Sequence, residues 1–274
     1  MLGDVTFGQY YNARSFLHKT DPRTKILLLI AYIVAVFLAQ NFLSLAAVLV
    51  FLIVAIIFSS VPLGSVLRSV KAIFFLILFM FVLNVLFHVR QEGETVYFWV
   101  ITKEGLISAS FLSARLILLV TGSSLLTLTT TPVSLTDGIE SLLKPLNLVK
   151  FPVHDLALVM SIALRFIPTL ANETDRIISA QKARGADFES GNIFSRIKAL
   201  VPVLIPLIIS ALRRADELGD AMDARCYTGS KNRTKYKKLT FTFRDIVATL
   251  FVAALITGVV FINIYYAQIV AVVF

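Results

Sequence analysis

Charged residues and cysteines are scarce in this sequence. Only 16% of its 274 residues are charged, and Cys226 is its one cysteine. A soluble domain is typically about a quarter charged, so the shortage excludes a soluble enzyme and a disordered chain. A single cysteine excludes a disulfide framework and a cysteine-rich metal site. The sequence also lacks a Gly-x4-Gly-Lys-Ser/Thr loop, so it has no P-loop with which to bind ATP.

Apolar residues are abundant instead, at 57% of the chain, and they form long runs. A helix needs roughly 20 apolar residues to cross a hydrocarbon core of about 30 Å. The first run, residues 26–58, is too long for one crossing and is interrupted at Gln40-Asn41, which predicts a hairpin of two spans. Three further runs lie at residues 72–89, 106–128 and 246–274. We therefore expect an all-α, polytopic membrane protein with about five transmembrane helices.

The distribution of charge predicts the orientation of these spans. Lysine and arginine number 26 against 17 acidic residues, and cytoplasmic loops collect basic residues. With the N-terminus inside, the basic segment 60–71 falls inside and the acidic segment 89–105 falls outside, as this rule requires. The predicted regions are a cytoplasmic N-terminal segment (1–25), a membrane domain of four spans (26–128), a cytoplasmic helical region (129–244) and a final transmembrane helix (245–274).

The cytoplasmic region should contain two long helices of uneven character. Charged residues there alternate with apolar ones at helical spacing, which predicts helices over about residues 155–183 and 193–225. Their first halves, residues 156–170 and 199–212, are nearly as apolar as membrane spans, whereas their second halves are strongly charged. Neither apolar half is long enough for a comfortable crossing. We expect each helix to begin against the membrane or a partner and to end in water.

A similar tripeptide ends each of these long helices: Ala183-Arg184-Gly185 and Ala224-Arg225-Cys226. An arginine in the last turn complements the helix dipole by about 0.3 to 1 kcal/mol. A small residue before it and a chain reversal after it also leave the guanidinium free for a bidentate bond to a carboxylate. We therefore interpret the two tips as docking elements.

Two other interpretations start from different residues. Asp216, Asp220 and Asp223 share one helix face, as in a membrane-bound phosphotransferase that holds Mg²⁺ with aspartates, although a solvated face has the same pattern. Arg115 lies in the middle of the fourth span, where a charge facing lipid would be costly. It could line the pathway of a stand-alone carrier, or it could pair with backbone carbonyls or a neighbouring helix.

A series of short motifs along nearly the whole chain resembles one known family, the transmembrane T components of energy-coupling factor (ECF) transporters, or EcfT/CbiQ family. Each motif is short, but their order and spacing together are specific. In chain order they are Gly8-Gln9-Tyr10, Ser15-Phe16-Leu17-His18, Asp21-Pro22-Arg23-Thr24-Lys25, Leu126-Thr127-Leu128-Thr129-Thr130-Thr131-Pro132, Ala163-Leu164-Arg165-Phe166-Ile167-Pro168, Ala180-Gln181-Lys182-Ala183-Arg184-Gly185, Arg213-Arg214-Ala215-Asp216-Glu217-Leu218 and Ala221-Met222-Asp223-Ala224-Arg225.

The resemblance implies a scaffold and energy transducer, and no catalytic residue, metal or cofactor in this chain. Arg184 and Arg225 would end coupling helices that dock into two cytosolic ABC-type ATPases, and those ATPases would bind ATP and Mg²⁺. A membrane S component would bind the transported vitamin or metal ion. The implied location is the cell membrane of a prokaryote, with the N-terminus cytoplasmic and no nucleic acid partner.

We expect the apolar halves of the two long helices to contact the S component, through Leu164, Phe166, Ile205, Leu207 and Ile208. One departure from the family pattern is Cys226, which stands where the second tripeptide would have glycine. Because residues other than glycine resist the left-handed conformation, we expect a left-handed helix end to be less favoured there and Gly229 to form the turn instead.

Overall fold

A computed structural model describes residues 10–13, 15–87, 96–98, 101–149, 151–186, 188, 192–227, 229 and 239–273. Across these ranges the chain forms eight α-helices and one short antiparallel hairpin, which agrees with the predicted all-α class. The elements are α1 (Pro22–Leu38), α2 (Phe42–Ser59), α3 (Leu63–Leu86), β1 (Val96–Phe98), β2 (Ile101–Thr102), α4 (Lys103–Thr129), α5 (Pro132–Leu143), α6 (Val153–Ala183), α7 (Ile193–Asp223) and α8 (Phe243–Val273). Short 3-10 turns occupy Leu17–Lys19 and Lys144–Val149.

The long first apolar run is divided into two helices, as predicted, and local capping explains the division. Asp21 caps the start of α1 by accepting a hydrogen bond from a first-turn amide, and Pro22 follows at a position where proline is favoured. Helix α1 ends at Leu38, and Ala39 is its C-cap. Helix α2 then begins with a reciprocal capping box between Asn41 and Ser44.

One predicted loop is wrong. Residues 60–71 were expected to connect two spans, but α3 begins at Leu63, so Arg68 and Lys71 lie on its first turns. Pro62 occupies the position before the helix, and arginine and lysine are good helix formers, so charge alone does not delay the start of α3. Helix α8 likewise begins slightly early, at Phe243.

Five described helices are long and apolar enough to cross a membrane by length and composition: α2, α3, α4, α6 and α8. The number agrees with the prediction, but two members differ. Helix α1, which the apolar run predicts as a span, has 17 residues, one fewer than the shortest of the five. Helix α6 belongs to the set because its apolar half continues without interruption into a 31-residue helix.

The described residues form two compact units. In the first, residues 10–139 and 239–273, α1 packs against α4 and α8, α2 packs against the same two helices, and α3 packs against α4. Small side chains at the end of α1 are completely buried: Ala35 and Val36 on the helix and Ala39 directly after it. Outward-facing positions carry large apolar residues such as Phe75, which is 80% exposed. Such a surface suits hydrocarbon and not water.

The second unit consists of the described residues between 140 and 238 and contains α6 and α7, which pack against each other. Both helices have 31 residues, close to the predicted bounds. Each contains proline, at Pro168 in α6 and at Pro202 and Pro206 in α7. The predicted domain boundaries at residues 129 and 244 refer to the membrane and stay a prediction.

Candidate functional site

The tip of α6 ends in a Schellman motif centred on Gly185. The Gly185 N–H donates to the carbonyl of Lys182 at 3.0 Å, and the Ala186 N–H donates to the carbonyl of Gln181 at 3.0 Å. These two bonds satisfy carbonyls that an unfinished helix would leave free. Arg184 is the last residue before the reversal.

The tip of α7 has the same pair of hydrogen bonds. The Cys226 N–H donates to the carbonyl of Asp223 at 2.9 Å, and the Tyr227 N–H donates to the carbonyl of Met222 at 3.1 Å. Arg225 therefore occupies the position that Arg184 has in α6. The two arginine tripeptides share one local geometry. From the sequence alone, only their similar residues indicated this.

The expectation about Cys226 is wrong. Its φ is +58°, which is left-handed, as is the +86° of Gly185. A side chain in this region costs about 1 to 2 kcal/mol. The two hydrogen bonds that close the α7 tip offset this cost. Gly229 is left-handed as well, at +87°, but in addition to Cys226 and not in its place.

All six residues of the two tripeptides are exposed: Ala183, Arg184, Gly185, Ala224, Arg225 and Cys226. Both guanidinium groups are therefore accessible to an external carboxylate. An exposed arginine interacts weakly with its own helix dipole, because water screens the charge. A partner that excluded water would strengthen the interaction.

Substitutions at the two left-handed positions should change the stability of the tips in opposite directions. Gly185→Ala should weaken the α6 tip by about 1 to 2 kcal/mol, or roughly 5- to 30-fold in amide exchange rate. No atom lies within 4 Å of the added Cβ, so the cost is purely conformational. Cys226→Gly should slow exchange at the α7 tip. Hydrogen exchange of peptides covering each tip measures both effects.

Gly219→Ala is the matched control, because Gly219 lies inside α7 and also has no atom within 4 Å of an added Cβ. There alanine should stabilise the helix by about 0.5 to 1 kcal/mol. Equal behaviour at Gly185 and Gly219 would contradict the left-handed assignment.

The apolar residues predicted to contact a partner differ in accessibility. Ile205 and Ile208 are 54% and 56% exposed, whereas Leu164, Phe166 and Leu207 are half-buried. The exposed pair belongs to a longer row on α7, whose members follow helical spacing and are each at least 45% exposed. This row, called here the α7 stripe, consists of Phe194, Ile197, Val201, Leu204, Ile205, Ile208 and Leu212. Its 3- and 4-residue spacing was visible in the sequence, but the extent of the exposed face was missed.

Two sequence motifs that lie far apart in the chain meet at the start of α1. The Lys25 ammonium donates to the Thr129 carbonyl at 2.9 Å and to the Thr130 hydroxyl at 3.1 Å. The Asp245 carboxylate accepts the Asp21 N–H at 2.8 Å. All five residues are buried, so this cluster ties the start of α1 to the end of α4 and the start of α8.

Burial lowers the pKa of Lys25 to about 8, and the carboxylates of Asp245 and Asp21 partly oppose this shift. Lys25 precedes the apolar run that begins at Ile26, so it lies outside the membrane-spanning segment. Every member of the cluster has a partner within the chain, which indicates that the cluster holds the three helices together.

Arg115 closes the other end of α1. Its guanidinium donates to the carbonyl of Ala39 and lies 4.8 Å from the ring centroid of Phe111. Asn263 on α8 donates to the neighbouring Leu38 carbonyl at 2.7 Å. Pairing with backbone carbonyls, the second of the two interpretations, is thus what the structure shows. The Arg115 guanidinium complements the Ala39 carbonyl at a helix end, so its charge has a partner within the chain and does not require a transport pathway.

The three aspartates of the α7 face are not gathered into a site. Asp216, Asp220 and Asp223 are all exposed. Among the residues that the structure describes, no group of three or more His, Cys, Asp or Glu side chains is placed to hold a metal ion. The phosphotransferase alternative therefore has no described site.

These features define the class: a multi-pass, all-helical membrane protein with two long helices that end in exposed arginines. Residues 13–236 match the family described as Cobalt transport protein, CbiQ. A Clostridium kluyveri protein named energy-coupling factor transporter transmembrane protein EcfT is 49% identical over 253 residues, which cover 91% of this chain and 93% of that protein. The Bacillus subtilis protein of the same name is 44% identical over 262 residues, covering 93% and 98%. The chain belongs to the CbiQ/EcfT family of transmembrane components of energy-coupling factor transporters, and so is a transporter membrane subunit.

Proposed function

We propose that this chain couples ATP hydrolysis by two cytosolic ABC-type ATPases to uptake of a vitamin or metal ion bound by a membrane S component. The single observation that carries the proposal is the pair of helix ends, closed by the same hydrogen-bond pattern, that expose Arg184 and Arg225. Each arginine forms charge-assisted hydrogen bonds with a carboxylate in a groove of one ATPase. The ATPases bind ATP and Mg²⁺, and this chain holds no cofactor of its own.

Helix ends closed by a Schellman motif suit this role for a physical reason. Two of the last carbonyls at each tip are already bonded within the chain, so docking leaves fewer unsatisfied backbone acceptors in the interface. The arginine then contributes its planar donors without competition from its own helix. Movement of an ATPase is passed directly to the long helix behind each tip.

The α7 stripe is the surface that binds the S component. Seven large apolar side chains at least 45% exposed would be costly in water, and contiguous apolar patches usually mark a partner or a membrane. Apolar contact is non-directional, so it can break and re-form as the S component reorients.

A substitution inside the stripe tests this assignment. Ile205→Asp should weaken S-component capture about tenfold, or by about 1.4 kcal/mol, because the carboxylate must lose water in the interface. ATPase binding should stay unchanged, since Ile205 lies far along α7 from Arg225. Pull-down of both partners measures the two effects together. Ile205→Leu conserves volume and is the control; loss of the ATPases with the S component retained would contradict the assignment.

The proposed orientation places the N-terminus and residues 129–244 in the cytoplasm and the C-terminus outside. Cys226 is the only cysteine and is exposed, so the natural protein carries its own reporter. An impermeant thiol reagent should leave Cys226 unlabelled in intact cells and label it after permeabilisation. Labelling in intact cells would overturn the orientation.

Purification of the tagged chain from its own cells tests the function as a whole. Two ATPase subunits, or one that forms a dimer, and an S component should copurify. Proteoliposomes containing all of them should take up substrate only with ATP and Mg²⁺. Substrate flux without the ATPases would favour a stand-alone carrier, and metal-dependent catalysis by the isolated chain would favour an enzyme.

A further inference from the structure

Glu173 on α6 bonds to two residues of α7. Its carboxylate accepts hydrogen bonds from the Ser210 hydroxyl and from the Arg214 guanidinium, the latter at 2.6 Å. The charged side chains are partly shielded, with 24% of Glu173 and 32% of Arg214 exposed. One carboxylate thus joins both helices through two donors, and this contact is called here the Glu173 bridge.

A second polar contact between α6 and α7 arises from a proline. Pro206 has no N–H, so the carbonyl four residues earlier, that of Pro202, lacks its helical partner. The Gln181 side-chain amide of α6 donates to this carbonyl at 3.4 Å. Gln181 is also the residue whose carbonyl accepts the bond that closes the α6 tip. The helix end that carries Arg184 is therefore attached to the proline site of α7.

The two contacts have the same spacing on both helices. Positions 173 and 181 on α6 meet positions 210 and 202 on α7, so the helices run antiparallel and each pair is eight residues apart. Eight helical residues correspond to about 12 Å. Two helices joined by one contact can rotate relative to each other about that contact. A second contact about 12 Å away opposes this rotation.

We propose that Glu173 is a positioning residue that joins α6 and α7 into one lever, so that the two arginine tips move together. The consequence for transport rests on the proposed function: an ATPase movement received at one tip is delivered to the α7 stripe without being lost in rotation at the crossing. The mechanical part of the proposal stands on the two contacts alone.

Spin labels on the two tips test the mechanical part in the full chain in nanodiscs, without partners. One label is placed on native Cys226 and one on Ser179→Cys, which is exposed and near the end of α6. The protein with its natural Glu173 should give a narrow distribution of distances between the two labels. Glu173→Gln and Arg214→Gln should each broaden it at least twofold, and Glu173→Arg with Arg214→Glu should restore much of the narrow width. Unchanged distributions in both single variants would overturn the proposal.

Matched controls separate the bridge from a general loss of charge. Glu217→Gln and Arg213→Gln remove the same charges from exposed positions of α7 and should leave the distribution unchanged. In the reconstituted transporter, Glu173→Gln should lower the substrate moved per ATP hydrolysed at least fivefold while the ATPases remain bound. If the ATPases fail to bind even the natural chain, the proposed function is wrong, and the spin-label distances still decide the mechanical part.

Discussion

Replacing both Arg184 and Arg225 with alanine should release the cytosolic ATPases and abolish uptake. Loss of one buried charge-assisted contact costs about 2 to 5 kcal/mol, which is roughly 30- to 5,000-fold in affinity. Much of this cost comes from the partner carboxylate, which stays buried without a counter-charge. Each single change should leave partial assembly, because one tip remains docked, but should uncouple ATP hydrolysis from transport.

Lysine should substitute poorly at either tip, since an ammonium cannot reproduce the planar pair of donors. Arg165→Ala with Arg213→Ala is the control: both residues are exposed, and one lies on each long helix away from its tip. Copurification of the ATPases and ATP-driven uptake in proteoliposomes are the measurements. Normal assembly and transport by the double tip variant would show that the arginines only complement their helix dipoles.

Asp245→Ala should strongly destabilise the first unit. The Asp245 carboxylate accepts the N–H groups of Asp21 at 2.8 Å and Thr242 at 2.6 Å. The Asp21 N–H is buried, and a buried N–H left without an acceptor costs about 1 to 3 kcal/mol, whereas Thr242 is exposed and water can replace its bond. Lys25 would also lose an opposite charge. Thermal unfolding in detergent measures the change.

Asp155→Ala is a matched control. Asp155 and Asp245 are each the third residue and the first-turn acid of their helix, so both complement a helix dipole, but Asp155 is exposed. Its removal should cost only about 0.3 to 1 kcal/mol. Similar losses in the two variants would show that the Asp245 bonds contribute nothing beyond the dipole.

Asp245→Ala should also change the pH dependence of the free energy of unfolding. The pKa of Lys25 is about 8 in the folded chain and 10.5 in the unfolded chain. Between these values the unfolded chain binds more protons, so this residue makes stability rise with pH across that window. Because Asp245 raises the pKa of Lys25, Asp245→Ala should extend the window below pH 8. Denaturant unfolding at several pH values detects the shift, and Asp155→Ala should leave the window in place.

Much of the fold could be predicted because it depends on local properties of the chain. The length of an apolar run and the helical spacing of residues 155–183 indicated helices whose bounds agree to within a few residues. The start of α3 was missed because a charged residue was treated as a loop signal, although Arg68 and Lys71 are compatible with a helix. The left-handed Cys226 was missed because the bonds that close the α7 tip outweigh a local preference.

The sequence by itself determined the class of protein, its helices, its two arginine tips and the family motifs. Only the tertiary structure decided what the polar residues do. Lys25 meets Thr129 across 104 positions, Arg115 meets Ala39 across 76, and Glu173 meets Ser210 across 37. Such pairings follow from how helices pack, and no period or spacing in one sequence records them. The motifs around Lys25 and Thr129 are separate in the sequence. Helix packing brings them together in one buried cluster.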